Sequence, residues 1–224
     1  MDKVSVIIPT IQKNIKVLAK LANSLSADEI VDEILIINNI EKELKTNIPK
    51  VKILKQEKNL YVNASWNLGI SCIKNNIFLI INDDILPCPN YCSIICNSGI
   101  LNREDTGLVG INNAFINQMP KDTEDLQEPE RSNFVYFKEL KNHFGTGDWG
   151  SAFFGKKENY YKIPDDIRII YGDNYLLYNN KKNKKINYSI CNLEFNHIHS
   201  LSSASSEFRK IVASDIASYK KYFN

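Results

Sequence analysis

Phe78-Leu79-Ile80-Ile81-Asn82-Asp83-Asp84 is the stretch that decides how this 224-residue chain is read. A short run rich in β-branched residues, preceded by Lys74-Asn75-Asn76 and followed by Ile85-Leu86-Pro87, has the pattern of a central parallel strand buried on both faces. It runs directly into two adjacent carboxylates. In open α/β sheets ligands bind at the carboxyl ends of the strands, where the loops gather strand ends and helix starts around one crevice. Two neighbouring carboxylates repel each other, and a divalent ion held by oxygen ligands together with a phosphate relieves that repulsion. The competing reading makes one Asp a helix cap and the other a solvated residue, because aspartate suits caps and turns.

The segments around this strand repeat its logic. Val4-Ser5-Val6-Ile7-Ile8-Pro9-Thr10 is a second buried-strand pattern stopped by Pro9, and Ile15, Leu18, Leu21, Ala22 and Leu25 then share one helical face. Ile34-Leu35-Ile36-Ile37 ends in Asn38-Asn39, and Val51-Lys52-Ile53-Leu54 is a shorter strand. Val62, Trp66, Ile70 and Ile73 recur at helical spacing just ahead of Phe78. Strand and helix alternate, which predicts right-handed crossovers in a mostly parallel α/β sheet flanked by helices.

These segments resemble the nucleotide-sugar-dependent glycosyltransferases of the GT-A fold, in particular family 2. Val4 to Thr10 looks like that family's first strand, and Val31-Asp32-Glu33-Ile34-Leu35-Ile36-Ile37-Asn38-Asn39 like its second. Asn59 through Asn63-Ala64, Asn67 and Gly69 is similar to its Asn-x-Gly-x-x-x-Ala-x-Asn-x-Gly signature, and Asn82-Asp83-Asp84 falls where it keeps an Asp-x-Asp-type motif. The resemblance covers roughly residues 3 to 112 and reappears near the C-terminus. It implies one domain over residues 1–224, with a nucleotide-binding half (1–112) and an acceptor-binding half (113–224).

Carried over by position, the resemblance implies that Asp84 ligates a Mn²⁺ or Mg²⁺ bridging the diphosphate of a UDP-, GDP- or dTDP-linked sugar, with Asp83 near the ribose or the ion's water shell. Pro9, Thr10 and Asn38 or Asn39 would line the base pocket, with Asn63 and Asn67 contributing from the signature. Two departures stand out: Asn38-Asn39 where many members have Asp, and Asn82 at the first motif position. The implied acceptor is a glycan or lipid-linked molecule in a growing bacterial-type surface glycan.

An inverting transfer needs a carboxylate to take the proton from the attacking hydroxyl. Asp165, Asp166 and Asp173 are candidates; Lys162-Ile163-Pro164-Asp165-Asp166 and Ile169-Ile170-Tyr171-Gly172-Asp173-Asn174 look like the family's later acidic segments. We assign the base to Asp173, with Gly172 clearing room beside it, while noting that an N-cap role fits the same residue. Gly145-Thr146-Gly147-Asp148-Trp149-Gly150-Ser151 resembles a Gly-rich turn lining the donor-sugar and acceptor pocket, with Trp149 offering a face for a sugar ring and Asp148 the residue to test. His197 and His199, at i and i+2, point the same way on an extended segment, and either resembles a C-terminal metal or diphosphate ligand of the fold. Ser200, Ser202 and Ser203 stand where hydroxyls hold phosphate at a helix start.

Composition excludes several alternatives. A net charge of +2 gives no case for nucleic acid, and 43% hydrophobic residues suffice for one substantial core. No apolar run reaches membrane-spanning length and no signal peptide precedes the first strand, so the expected location is the cytoplasm. Lys181-Lys182-Asn183-Lys184-Lys185 and the tail Tyr219 to Phe223 read as solvated, with peripheral contact to acidic headgroups the alternative. Cys88, Cys92 and Cys96 line one face of an expected helix and read as buried thiols of a reducing compartment. Residues 113 to 132 read as a flexible excursion of the kind that closes over a donor. A sugar nucleotidyltransferase is disfavoured because Pro9-Thr10-Ile11-Gln12-Lys13 has no glycine; a degenerate, nucleotide-binding member of the fold is the other rival.

Overall fold

The computed structural model describes residues 2–132, 134–142, 147–198 and 206–223. In chain order the strands are β1 (Val4–Thr10), β2 (Val31–Asn38), β3 (Val51–Lys55), β4 (Ile77–Ile81), β5 (Ile85–Pro87), β6 (Thr106–Ile111), β7 (Ile116–Met119), β8 (Tyr136–Glu139), β9 (Ala152–Lys156), β10 (Ile186–Cys191) and β11 (Phe195–Ile198). The helices are α1 (Ile15–Ala27), α2 (Tyr61–Cys72), α3 (Tyr91–Asn97), α4 (Gly172–Lys182) and α5 (Ser206–Tyr219).

Eight strands form one sheet in the order β3-β2-β1-β4-β9-β6-β10-β8. The pairings β1 with β2, β1 with β4, β2 with β3 and β6 with β10 are parallel; β9 runs antiparallel between β4 and β6, and β8 antiparallel to β10. Every residue of β1 and β4 is buried because both sheet faces are covered. Val6, Ile8, Leu79 and Ile81 join α1 and α3 in one core layer, while Ile7, Phe78 and Ile80 join Trp66, Leu176 and Leu177 in the other.

Four expectations change. The buried face of α2 is Asn63, Ser65, Trp66 and Gly69, whereas Val62 and Ile70 are only partly covered. Polar residues win that face because they hydrogen-bond the segment lying over it. Ile85-Leu86-Pro87, read only as the end of the preceding run, is a strand of a second sheet ordered β5-β11-β7. Residues 113 to 132 are not a bare excursion: β7 pairs in parallel with β11, Leu126 is fully buried, and Lys16 and Lys20 of α1 meet Glu124 and Asp125 at 3.0 and 2.9 Å. Cys88 precedes α3 rather than riding on it; it and Cys92 are buried, Cys96 partly so, and all five cysteines are unpaired thiols.

Candidate active site

The carboxyl ends of β1, β2 and β4 converge where the strand patterns stop. The Asn82 N–H donates to the Ser151 carbonyl at 2.8 Å, tying the end of β4 to a 3₁₀ turn (Gly147–Ser151) that enters β9. Thr10 Oγ1 donates to Asp83 Oδ2 at 2.5 Å and accepts from the Gln12 N–H at 2.8 Å, so the end of β1 fixes the first carboxylate. Burial, and secondarily the charge of Asp84, pushes the Asp83 carboxyl up to about 7.

Asp84 meets a residue 113 positions away through strand pairing. The Ile198 N–H donates to the Asp84 carbonyl at 2.9 Å, and His197 lies opposite Ile85 in the β5–β11 register. This brings His197 Nε2 to 3.4 Å from Asp84 Oδ1, a buried oxygen that has no hydrogen-bond partner among the described residues. His199 and the serines 200, 202 and 203 lie outside the described residues, as does the side chain of Asp148.

A cavity of about 390 Å³ opens beside Asp83 and Asp84. Pro9, Thr10 and Asn39 line it together with Asn59, Tyr61, Asp83 and Asp84, and Glu207 and Phe208 of α5 complete the lining. Three carboxylates and one basic residue, Lys13, border it among the described residues. Asn39 Oδ1 accepts from the Leu60 N–H at 3.2 Å, which joins the end of β2 to the start of α2. Asn38 is turned away instead: Oδ1 accepts from Gln12 Nε2 and Nδ2 donates to the Lys42 carbonyl.

The structure corrects four site assignments. Asn63 donates to the Ile167 carbonyl at 3.0 Å, and Asn67 brackets Ile163 by donating to its carbonyl and accepting from its N–H. Both asparagines therefore anchor residues 160–171 on α2 and do not border the cavity. Trp149 is buried, its Nε1 donating to the Tyr188 carbonyl at 3.2 Å and its ring stacked on Phe153, so no face is left for a sugar. Gly172 does not make space for Asp173; it packs on Asn63, where a Cβ would lie 2.1 Å from Oδ1.

Asp173 sits in the first turn of α4 and faces Gly150, where a Cβ would come within 2.7 Å of Oδ2. Gly150 precedes Ser151, so the turn that holds Asn82 also borders Asp173. Burial raises its carboxyl to about 6, against backbone N–H groups of Asn174 and Asp173 that act to lower it. Asp165 is exposed, and Asp166 is bound to Lys221 and Tyr222 at 3.1 and 2.6 Å, away from the cavity.

Asp215 of α5 was not among the candidates. Fully buried, it accepts from the Arg168, Ile169 and Ile170 N–H groups at 3.0, 2.7 and 3.0 Å, pinning the helix that roofs the cavity onto the segment anchored by Asn63 and Asn67. An aspartate in mid-helix whose partners are 45 to 47 residues away leaves no local signature.

The profile of glycosyl transferase family 2 matches residues 5–164, which include β1, α2, the Asp83-Asp84 pair and β9. The chain belongs to this family. The family 2 domain also superposes on solved glycosyltransferases at low identity. TarS of S. aureus (residues 1–349) gives a TM-score of 0.59 at 11% identity over 96% of this chain and 70% of that one. GalNAc-T7 with UDP, GalNAc and Mn²⁺ gives 0.67 at 11% identity over 99% and 50%, and the mannosyltransferase PcManGT of Pyrobaculum calidifontis with GDP-Man and Mn²⁺ gives 0.62 at 11% over 98% and 64%. The family 2 chain thus spans half to about two thirds of those chains, and shares with them the GT-A fold. No curated protein sequence matches it.

Proposed function

We propose that this family 2 domain moves one sugar from a nucleoside-diphosphate donor to a hydroxyl of a glycan or lipid-linked acceptor, with inversion. The observation that carries the reading is the buried Asp84 Oδ1, without a hydrogen-bond partner among the described residues and 3.4 Å from His197 Nε2, beside a cavity bordered by three carboxylates and one lysine. A carboxylate and an imidazole suit Mn²⁺ or Mg²⁺, whose remaining positions are commonly filled by phosphate oxygens and water. Among the described residues no group of three such side chains gathers, so Asp84 and His197 would be completed by the donor's own diphosphate. A cation bound there supplies charge neutralisation for the departing diphosphate.

The chain's own groups account for the rest. Pro9, Thr10 and Asn39 receive the nucleoside, Lys13 meets phosphate, and Thr10 keeps Asp83 oriented. Asp173 Oδ2 takes the proton of the attacking hydroxyl; a carboxyl near 6 is ionised at neutral pH yet more basic than an exposed one. A second cavity of about 420 Å³, bordered by Ser189, Lys138, Lys141 and the edge of Trp149, adjoins the same turn and is our acceptor site. UDP- and GDP-linked donors head the list, because the neighbours' complexes contain UDP, UDP-GlcNAc or GDP-Man.

Melting temperature measured with UDP, GDP and dTDP, with and without Mn²⁺, tests this, since a ligand bound only by the native state raises it. We expect one nucleotide to give a shift that requires the metal, and Asp84→Ala to abolish that shift while keeping a native circular dichroism spectrum. No shift with any nucleotide, or a normal one in Asp84→Ala, overturns the reading.

A further inference from the structure

The backbone of Tyr61 lies in the left-handed region, at φ +62°. Side chains with a Cβ are disfavoured there and glycine is not. Two residues after Asn59 the family signature quoted above writes glycine, yet this chain places a tyrosine at that point. Strain of this kind persists where surrounding structure imposes it, and it concentrates at ligand sites.

The surroundings do impose it. Asn59 Oδ1 accepts from the Tyr61 N–H at 2.8 Å, and Asn39 Oδ1 holds the Leu60 N–H at 3.2 Å, so the turn into α2 is fixed from both sides. The side chain is fixed as well. Its hydroxyl donates to Glu207 of α5 at 3.1 Å, and the Arg168 guanidinium lies 5.8 Å from the ring centroid. Arg168 is itself tied down, since its carbonyl accepts from the Asn63 N–H and its own N–H donates to Asp215. The ring also borders the 390 Å³ cavity, which Pro9, Thr10, Asn39 and the Asp83-Asp84 pair line with it. A half-buried aromatic ring clamped on two sides and open on a third is a preorganised stacking surface, and bases stack on such rings whatever their hydrogen-bonding edge.

We infer that Tyr61 is a nucleotide-binding residue of this chain, its ring stacking on the nucleobase of the donor. The inference rests on the donor-binding reading above and adds to it a residue outside the strand ends and the carboxylate pair. It separates the two ends of the ligand: the base depends on Tyr61, the diphosphate on Asp84, His197 and Lys13.

The test compares wild type, Tyr61→Phe and Tyr61→Gly by calorimetric titration with Mn²⁺ and two probes: the nucleoside diphosphate that wild type binds, and inorganic pyrophosphate. Tyr61→Gly should bind the nucleotide at least tenfold more weakly and pyrophosphate as wild type does, with a melting temperature that stays close to wild type because relief of the positive φ offsets lost ring contacts. Tyr61→Phe, which keeps the ring and loses the Glu207 contact, should bind both probes within about twofold of wild type. Unchanged nucleotide affinity in Tyr61→Gly overturns the inference, and so does an equal loss for both probes, which would mean that the ring only shapes the pocket. Failure of wild type to bind any nucleotide overturns the donor reading itself and this inference with it.

Discussion

Asp173 combines two properties that pull in opposite directions. Its folded-state carboxyl titrates near 6, above the ordinary carboxylate range, so the native protein holds this proton more tightly than the unfolded chain does. The sign follows: the stabilisation is complete at acid pH, below the unfolded value, and is lost as pH rises through about 6. Asp173→Asn should therefore raise the melting temperature at pH 8, by the equivalent of about 2 kcal/mol after allowance for its partial exposure, and by much less at pH 4. The same variant should lose between about 10² and 10⁴ in kcat while keeping nucleotide affinity. In wild type kcat should climb through pH 6 as the carboxylate ionises. A variant that melts no higher at pH 8 than wild type, or turns over normally, removes Asp173 as a buried base. At this scale the pair Asp83-Asp84 was legible because adjacency after an apolar strand is a local pattern. Asn63, Asn67 and Trp149 were misread because a motif fixes residue type and position, not whether the side chain turns to the ligand or to a carbonyl 39 to 104 residues away.

Among the elements, α5 owes its place to a single carboxylate. Asp215 takes three backbone N–H groups of residues 168 to 170, and truncation leaves partly buried donors without an acceptor. Asp215→Ala should cost about 2 to 4 kcal/mol in chemical denaturation, and should accelerate hydrogen exchange in α5 more than in β1 or β4. Equal protection in α5 would show that its other contacts suffice. Periodicity announced α1 correctly, but nothing local announces what fastens α5. The strand β5 was illegible for a related reason: three residues carry no periodicity, and its partners β11 and the β7 beyond it are remote in sequence.

For the whole molecule, the division at residue 112 does not correspond to two structural bodies. Strand β9 is inserted between β4 and β6, and β10 lies on the far side of β6, so the sheet alternates between the two halves of the chain. Urea unfolding should therefore follow one transition, coincident by circular dichroism and tryptophan fluorescence, and a fragment of residues 1–112 should show no cooperative unfolding. Separate transitions, or a folded fragment, would contradict this. The alternation of strand and helix made the parallel portion of the sheet readable from sequence. The antiparallel insertion of β9 was not, because a run such as Ala152-Phe153-Phe154 states that a strand is buried and not between which neighbours.

That insertion also bears on how the protein is made. As synthesis proceeds from the N-terminus, β4 and β6 are complete while the five residues that separate them in the sheet, Ala152–Lys156, have yet to be polymerised. Until they emerge, both strands present unsatisfied edges on the nascent chain, lined by Phe78, Leu79, Leu108 and Val109, all fully buried in the finished fold. The interval between translating β6 and β9 thus leaves the polypeptide open to non-native strand pairing.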